Sequence, residues 1–88
     1  MPRSTYAADY AAFLRVLRES REGAGVTQQD LAKRLHMTQS AVSKCERGDR
    51  RLDVIELRSW CAVLGLSLAE FAAELDKTLA RAAGPRRR

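Results

Sequence analysis

Apolar side chains return along this chain every three or four positions, in five stretches separated at glycines except between the second and third, which Leu35-His36-Met37-Thr38 joins. In the first, about residues 6–22, Tyr6, Tyr10, Phe13, Leu14 and Leu17 share one face, with Arg15, Arg18, Glu19 and Glu22 elsewhere. A second, short stretch presents Leu31, Ala32 and Leu35, and a third, about 39–46, presents Val42 and Cys45. The fourth aligns Val54, Leu57, Cys61 and Leu64, with Trp60 beside that stripe as core and with Ile55 and Val63 pointing away from it. The fifth lines up Leu68, Phe71, Ala72, Leu75, Leu79 and Ala82, opposite Glu70, Glu74, Lys77 and Arg81. Sustained two-residue alternation is missing, so strands are not expected.

Cap residues mark where these helices begin. Thr27 and Thr38 can each accept a hydrogen bond from an orphan amide of the first turn, and Asp30, three residues after Thr27, resembles a capping box with Asp in place of Glu. Asp53 with Glu56 repeats the arrangement, and Ser67 with Glu70 is a full Ser-x-x-Glu box. Gly23, Gly25, Gly48, Gly65 and Gly84 fall at the joints. The pattern predicts an all-α, five-helix domain over residues 1–83, whose fifth helix covers about 67–83, then a basic disordered tail, 84–88. The second and third helices are too short to be stable alone, so they must pack on each other. Their brief connection makes them cross steeply, which needs a small residue at the contact, and Ala32 is there. Leu31, Leu35, Met37, Val42 and Cys45 then face inward, leaving Gln39, Ser40, Ser43, Lys44 and Arg47 outside.

Composition narrows the chemistry. A chain of 88 residues has no room for both a core and an enclosed catalytic cavity. Two cysteines and one histidine cannot supply the four ligands of a structural zinc site, so Cys45 and Cys61 read as small buried apolar groups and no metal is expected. Nucleophile–base pairing and phosphate-binding glycine loops are lacking as well, so neither enzyme activity nor a cofactor is expected. The opening residues lack the apolar run of a signal peptide and no stretch approaches a membrane span, so a cytoplasmic protein is expected.

The net charge is +5, unevenly spread: residues 15–51 hold nine basic and five acidic groups, and the tail ends in Arg86, Arg87 and Arg88. Such a distribution suits a face turned toward a polyanion. The outer side of the third helix carries the matching chemistry. A major groove admits one helix, where Gln can pair with adenine, Lys can reach guanine acceptors, and Ser can meet either bases or phosphates. Backbone amides behind Gln28 and Gln39 can hold phosphate oxygens, and Arg50 and Arg51 follow in a loop placed to grip the phosphate backbone.

The run Thr27-Gln-Gln-Asp-Leu-Ala-Lys-Arg-Leu-His-Met-Thr-Gln-Ser-Ala-Val-Ser-Lys-Cys-Glu-Arg-Gly48 resembles the helix-turn-helix of the Xre or phage-repressor family. The likeness extends over roughly residues 10–80, with Thr-Gln, Leu-Ala, Gln-Ser, Val-Ser and Glu-x-Gly all at the family's spacing. It implies a repressor-like bundle in which helices two and three form the helix-turn-helix. By that resemblance Gln39, Ser40 and Lys44 read bases, Gln28, Thr38, Ser43 and Arg47 mostly touch phosphate, and Glu46 bonds within the protein. One position departs: His36 stands where the family's turn usually has Gly, which predicts a positive φ at His36.

The function expected from these readings is a sequence-specific regulator of double-stranded DNA of bacterial or phage type. It is expected to be a dimeric repressor inserting helix 39–46 into the major groove of a palindromic operator. Leu75, Leu79 and Ala82 outrun the body of the domain and, with Val63, are expected to meet a second copy of the chain. The competing class is an antitoxin or adaptor whose main partner is another protein, such as a toxin, with DNA binding used for autoregulation.

Overall fold

The computed structural model describes residues 3–82, and the basic tail expected at 84–88 lies outside them. Five helices follow in order: α1 Arg3–Gly23, α2 Gln28–Leu35, α3 Gln39–Arg47, α4 Val54–Val63 and α5 Leu68–Ala82. Helix α1 begins three residues earlier than its apolar face predicts, and the other helices begin where their caps predict. Thr27 Oγ1 accepts from the Asp30 amide at 3.0 Å and Thr38 Oγ1 from the Ala41 amide at 3.0 Å. Asp53 and Glu56 close a reciprocal box, as do Ser67 and Glu70. At Thr27 only the threonine half is made, because the Asp30 side chain is one methylene shorter than Glu.

The core closes where the short helices meet. Leu17, Leu31, Val42, Cys45, Trp60, Cys61 and Phe71 are fully buried, and Ala32 lies under the α2–α3 contact. Helix α1 packs on α3 and α5, while α4 packs on α2 and α5. Phe13 meets Phe71 edge-on, with ring centroids 5.8 Å apart, which joins α1 to α5. Among the described residues no helix is long and apolar enough to cross a membrane.

The stripes of two helices, α4 and α5, differ from the sequence pattern. Val54 is 59% exposed, because it opens the first turn of α4 at the edge of the body. Val63, expected to point outward, packs against the core, because α4 is held between α2 and α5 and so buries more than one stripe. On α5, Ala72 is exposed and Thr78 is buried, so the inward row continues from Phe71 and Leu75 to Thr78.

The α2–α3 turn has the geometry expected of it. His36 sits at φ 57° and ψ 42°, the left-handed region, and ends α2. The Met37 amide donates back to the Ala32 carbonyl at 2.9 Å, satisfying an acceptor the helix would otherwise leave open. Helix α3 ends on Gly48 at φ 85°, where a Cβ would also come within 2.9 Å of Leu14. Both the backbone angle and the space favour glycine at that joint.

Candidate nucleic-acid interface

Helix α3 presents Gln39, Ser40, Lys44 and Arg47 to solvent, with Ser43 half-buried among them. Its one carboxylate turns the other way. Arg21 Nε of α1 donates to Glu46 Oε2 at 2.6 Å, and Arg21 Nη2 donates to Glu46 Oε1 at 3.1 Å. The two side chains are 10% and 4% exposed. Arg21 Nη1 adds a bond to the Val26 carbonyl, so the guanidinium fastens the end of α1 to both α3 and the α1–α2 loop. The Glu46 hydrogen bond holds the Arg21 pKa above its usual value against the opposing pull of burial. Glu46 thus bonds within the protein, and no carboxylate of α3 faces outward.

The same carboxylate orients two glutamines. Gln28 Nε2 donates to Glu46 Oε1 at 2.9 Å, and Gln39 Nε2 reaches Gln28 Oε1 at 3.5 Å. A carboxylate only accepts, so it draws the Gln28 amino group inward and turns the Gln28 carbonyl toward Gln39. Gln28 is therefore half-buried and engaged by Glu46 rather than standing clear at the start of α2. Thr38 is exposed, and while its oxygen caps α3, its hydroxyl proton remains available to an acceptor.

Arg47 lies folded on its own helix, donating from Nη1 to Ser43 Oγ at 2.6 Å and from Nε to Asp49 Oδ2 at 3.1 Å. The two arginines after Gly48, expected to grip phosphate, are exposed and each also bonds within the protein. Arg50 reaches Glu56 at 3.0 Å and the Cys45 sulfur at 3.3 Å. Arg51 donates to the Tyr6 hydroxyl at 2.7 Å and lies 4.6 Å from the Tyr10 ring centroid. Both guanidiniums are held by α1, α3 and α4 because the loop doubles back across them, and neither stands clear beside α3. Arg21 carries a positioning role that the sequence reading omitted. The available signal was its place four residues after Leu17, which puts an arginine on the buried face of α1.

The family described as "Helix-turn-helix domain" matches residues 9–74. The structure is similar to an XRE-family like protein from Pseudomonas syringae pv. tomato str. DC3000, at 40% sequence identity and TM-score 0.79, covering 94% of this chain and 95% of that one. The chain belongs to the Xre-type helix-turn-helix family. A second structure, the clp gene regulator ClgR from Corynebacterium glutamicum, is 32% identical with TM-score 0.73, covering 82% of this chain and 77% of that one. No curated protein matches the chain. As an Xre-type protein it is a DNA-binding transcriptional regulator, and α2 and α3 are its helix-turn-helix.

Away from the helix-turn-helix, this Xre-type domain has an apolar groove of about 320 Å³. Tyr6, Tyr10 and Phe13 of α1, Leu52, Val54 and Leu57, and Leu75 and Leu79 of α5 line it. Asp9 and Asp53 also line it, and the Arg51 guanidinium lies over the Tyr6 and Tyr10 rings beside it. Leu75 and Leu79 thus line one surface, whereas Val63 is half-buried against the core and the Ala82 side chain is outside the described part.

Proposed function

We propose that this protein is a sequence-specific repressor that binds double-stranded DNA as a homodimer, each copy laying α3 in the major groove of a palindromic operator. The observation that carries the reading is the inward turn of Glu46 onto Arg21. It leaves α3 with an outer row of amide, hydroxyl and ammonium groups and turns the helix's own carboxylate away from that row. On this reading Gln39, Ser40 and Lys44 read base edges, with Gln39 positioned through Gln28 for the paired donor and acceptor of adenine. Thr38, Ser43, Arg47 and the amides opening α2 and α3 hold phosphates, whereas Arg50 and Arg51 serve the fold.

The second copy belongs at the groove between α1 and α5. Its lining is mostly apolar, and Leu75 and Leu79 of each copy can cover the other's groove about a two-fold axis, as a palindromic site requires. Control of repression then rests on protein concentration or on a competing protein that takes the same groove, a role that would fit an antitoxin or adaptor.

Selection of bound sequences from a random duplex pool tests the whole reading. The expected product is a palindrome with half-sites about one helical turn, ~34 Å, apart. An unselected pool would refute sequence recognition, and an asymmetric single half-site would refute the dimer. Light scattering on the purified protein is expected to give twice the chain mass, and co-purification of another polypeptide in stoichiometric amount would instead favour the adaptor.

A further inference from the structure

The cation best placed on α3 to meet a phosphate is already paired. Gly48 turns the chain back at once after α3, and the Asp49 amide donates to the Lys44 carbonyl at 2.9 Å. That bond fixes Asp49 immediately beyond the last turn of the helix. Its carboxylate takes both the Nε and the Nη2 of Arg47, each at 3.1 Å, while Nη1 is held by Ser43 at 2.6 Å. With Glu46 turned inward, Asp49 is the acidic group that accompanies the outer cations Lys44 and Arg47. The pair is also exchangeable, since the two side chains are 56% and 59% exposed. An ion pair this open contributes little to stability, so separating it costs the fold almost nothing.

We propose that Asp49 is an intramolecular counter-ion for Arg47 that competes with DNA phosphate for its guanidinium, and so sets the charge with which the helix-turn-helix meets a duplex. The inference rests on the DNA-binding reading and adds a residue that tunes it. A phosphate reaching Arg47 must displace the Asp49 carboxylate, which is then left as an uncompensated negative charge beside the duplex and draws in screening cations. Arg47 therefore adds a contact with reduced net counterion release. Without the carboxylate the same contact would release about 0.9 ion. Sequence-independent binding draws almost wholly on such release, so Asp49 restrains binding to random DNA.

The test is a salt titration of the full-length protein on a 30-base-pair random-sequence duplex, which requires no knowledge of the operator. Asp49→Asn is expected to raise affinity about three- to tenfold at ~0.1 M salt and to steepen the log–log slope by up to about 0.9 for each bound protomer. The thermal midpoint is expected to stay unchanged. In an Arg47→Ala background the same substitution is expected to leave the slope as it was. Asp76→Asn on α5, which removes an equal charge elsewhere, serves as the control and is expected to shift the slope far less. An unchanged slope in Asp49→Asn, an equal gain without Arg47, or an equal gain from Asp76→Asn would each overturn the proposal. If the unaltered protein ignores every duplex in dilute salt, the DNA-binding reading falls and takes this one with it.

Discussion

Arg21 and Glu46, 25 residues apart, meet through a 2.6 Å hydrogen bond that ties the last turn of α1 to the last turn of α3. The pair matters twice. It compensates two charges that the fold has taken out of water, and it presents a carboxylate oxygen from which the orientation of Gln28, and through it Gln39, follows. Stability and DNA-facing geometry therefore share one group.

Glu46→Ala is expected to lower unfolding free energy by about 3 kcal/mol, because it strands the Arg21 guanidinium in a nearly buried place. Glu46→Gln, which keeps an acceptor for Arg21, should cost less. Urea denaturation of the three proteins side by side measures the order, and a loss below about 0.5 kcal/mol for the alanine variant would mean the pair is dispensable.

The two cations of α3 are expected to separate by role. Lys44→Ala should cost about 1–3 kcal/mol on a selected sequence and relax the preference at one base position. Arg47→Ala should weaken selected and random duplexes by the same factor. Competition binding on both kinds of DNA distinguishes them, and identical behaviour of the two variants would refute the assignment.

His36→Gly is expected to stabilise the protein by up to about 1 kcal/mol. Relief of the left-handed backbone at φ 57° outweighs the extra freedom glycine gains when unfolded. For a domain of this size that is a rise of up to about 4–8 °C in thermal midpoint. A lower midpoint would mean that the imidazole makes a compensating contribution.

Tyr10 carries a buried hydroxyl with no hydrogen-bond partner, while its ring supports Arg51. Tyr10→Phe retains the ring and removes the unsatisfied group. The expected result is neutral or stabilising by about 1 kcal/mol in chemical denaturation. A loss would point to a partner for that oxygen in solution.

Burial pushes the Cys61 thiol pKa upward. A raised folded value means the native state keeps its proton while the unfolded chain releases it. The contribution is therefore complete below the ordinary thiol pKa of about 8.5 and declines above it, by at most about 1.4 kcal/mol per pH unit. Cys61→Ala, less stable throughout, is expected to decline less steeply over that alkaline range, and parallel curves for the two proteins would refute the assignment.

The five helices, their caps and the outer row of α3 were legible in the order of residues, because periodicity and cap chemistry act within three or four positions. Glu46 was legible only through family likeness, and the departure at His36 was visible for the same reason. Val63, Ala72 and Thr78 show the limit of a stripe drawn from one helix: how wide a buried face is depends on how many neighbours that helix has.

What the chain order alone determined is local: where each helix starts, where it stops, and which side of α3 is polar. The tertiary structure decided which charges remain available. Arg21, Arg47, Arg50 and Arg51 are the same residue type, yet one is buried on Glu46, one is held by Ser43 and Asp49, one bridges Glu56 and Cys45, and one is stacked on Tyr10. A guanidinium reaches several ångströms from its backbone in any direction, so its partner depends on which distant segments packing brings within that reach.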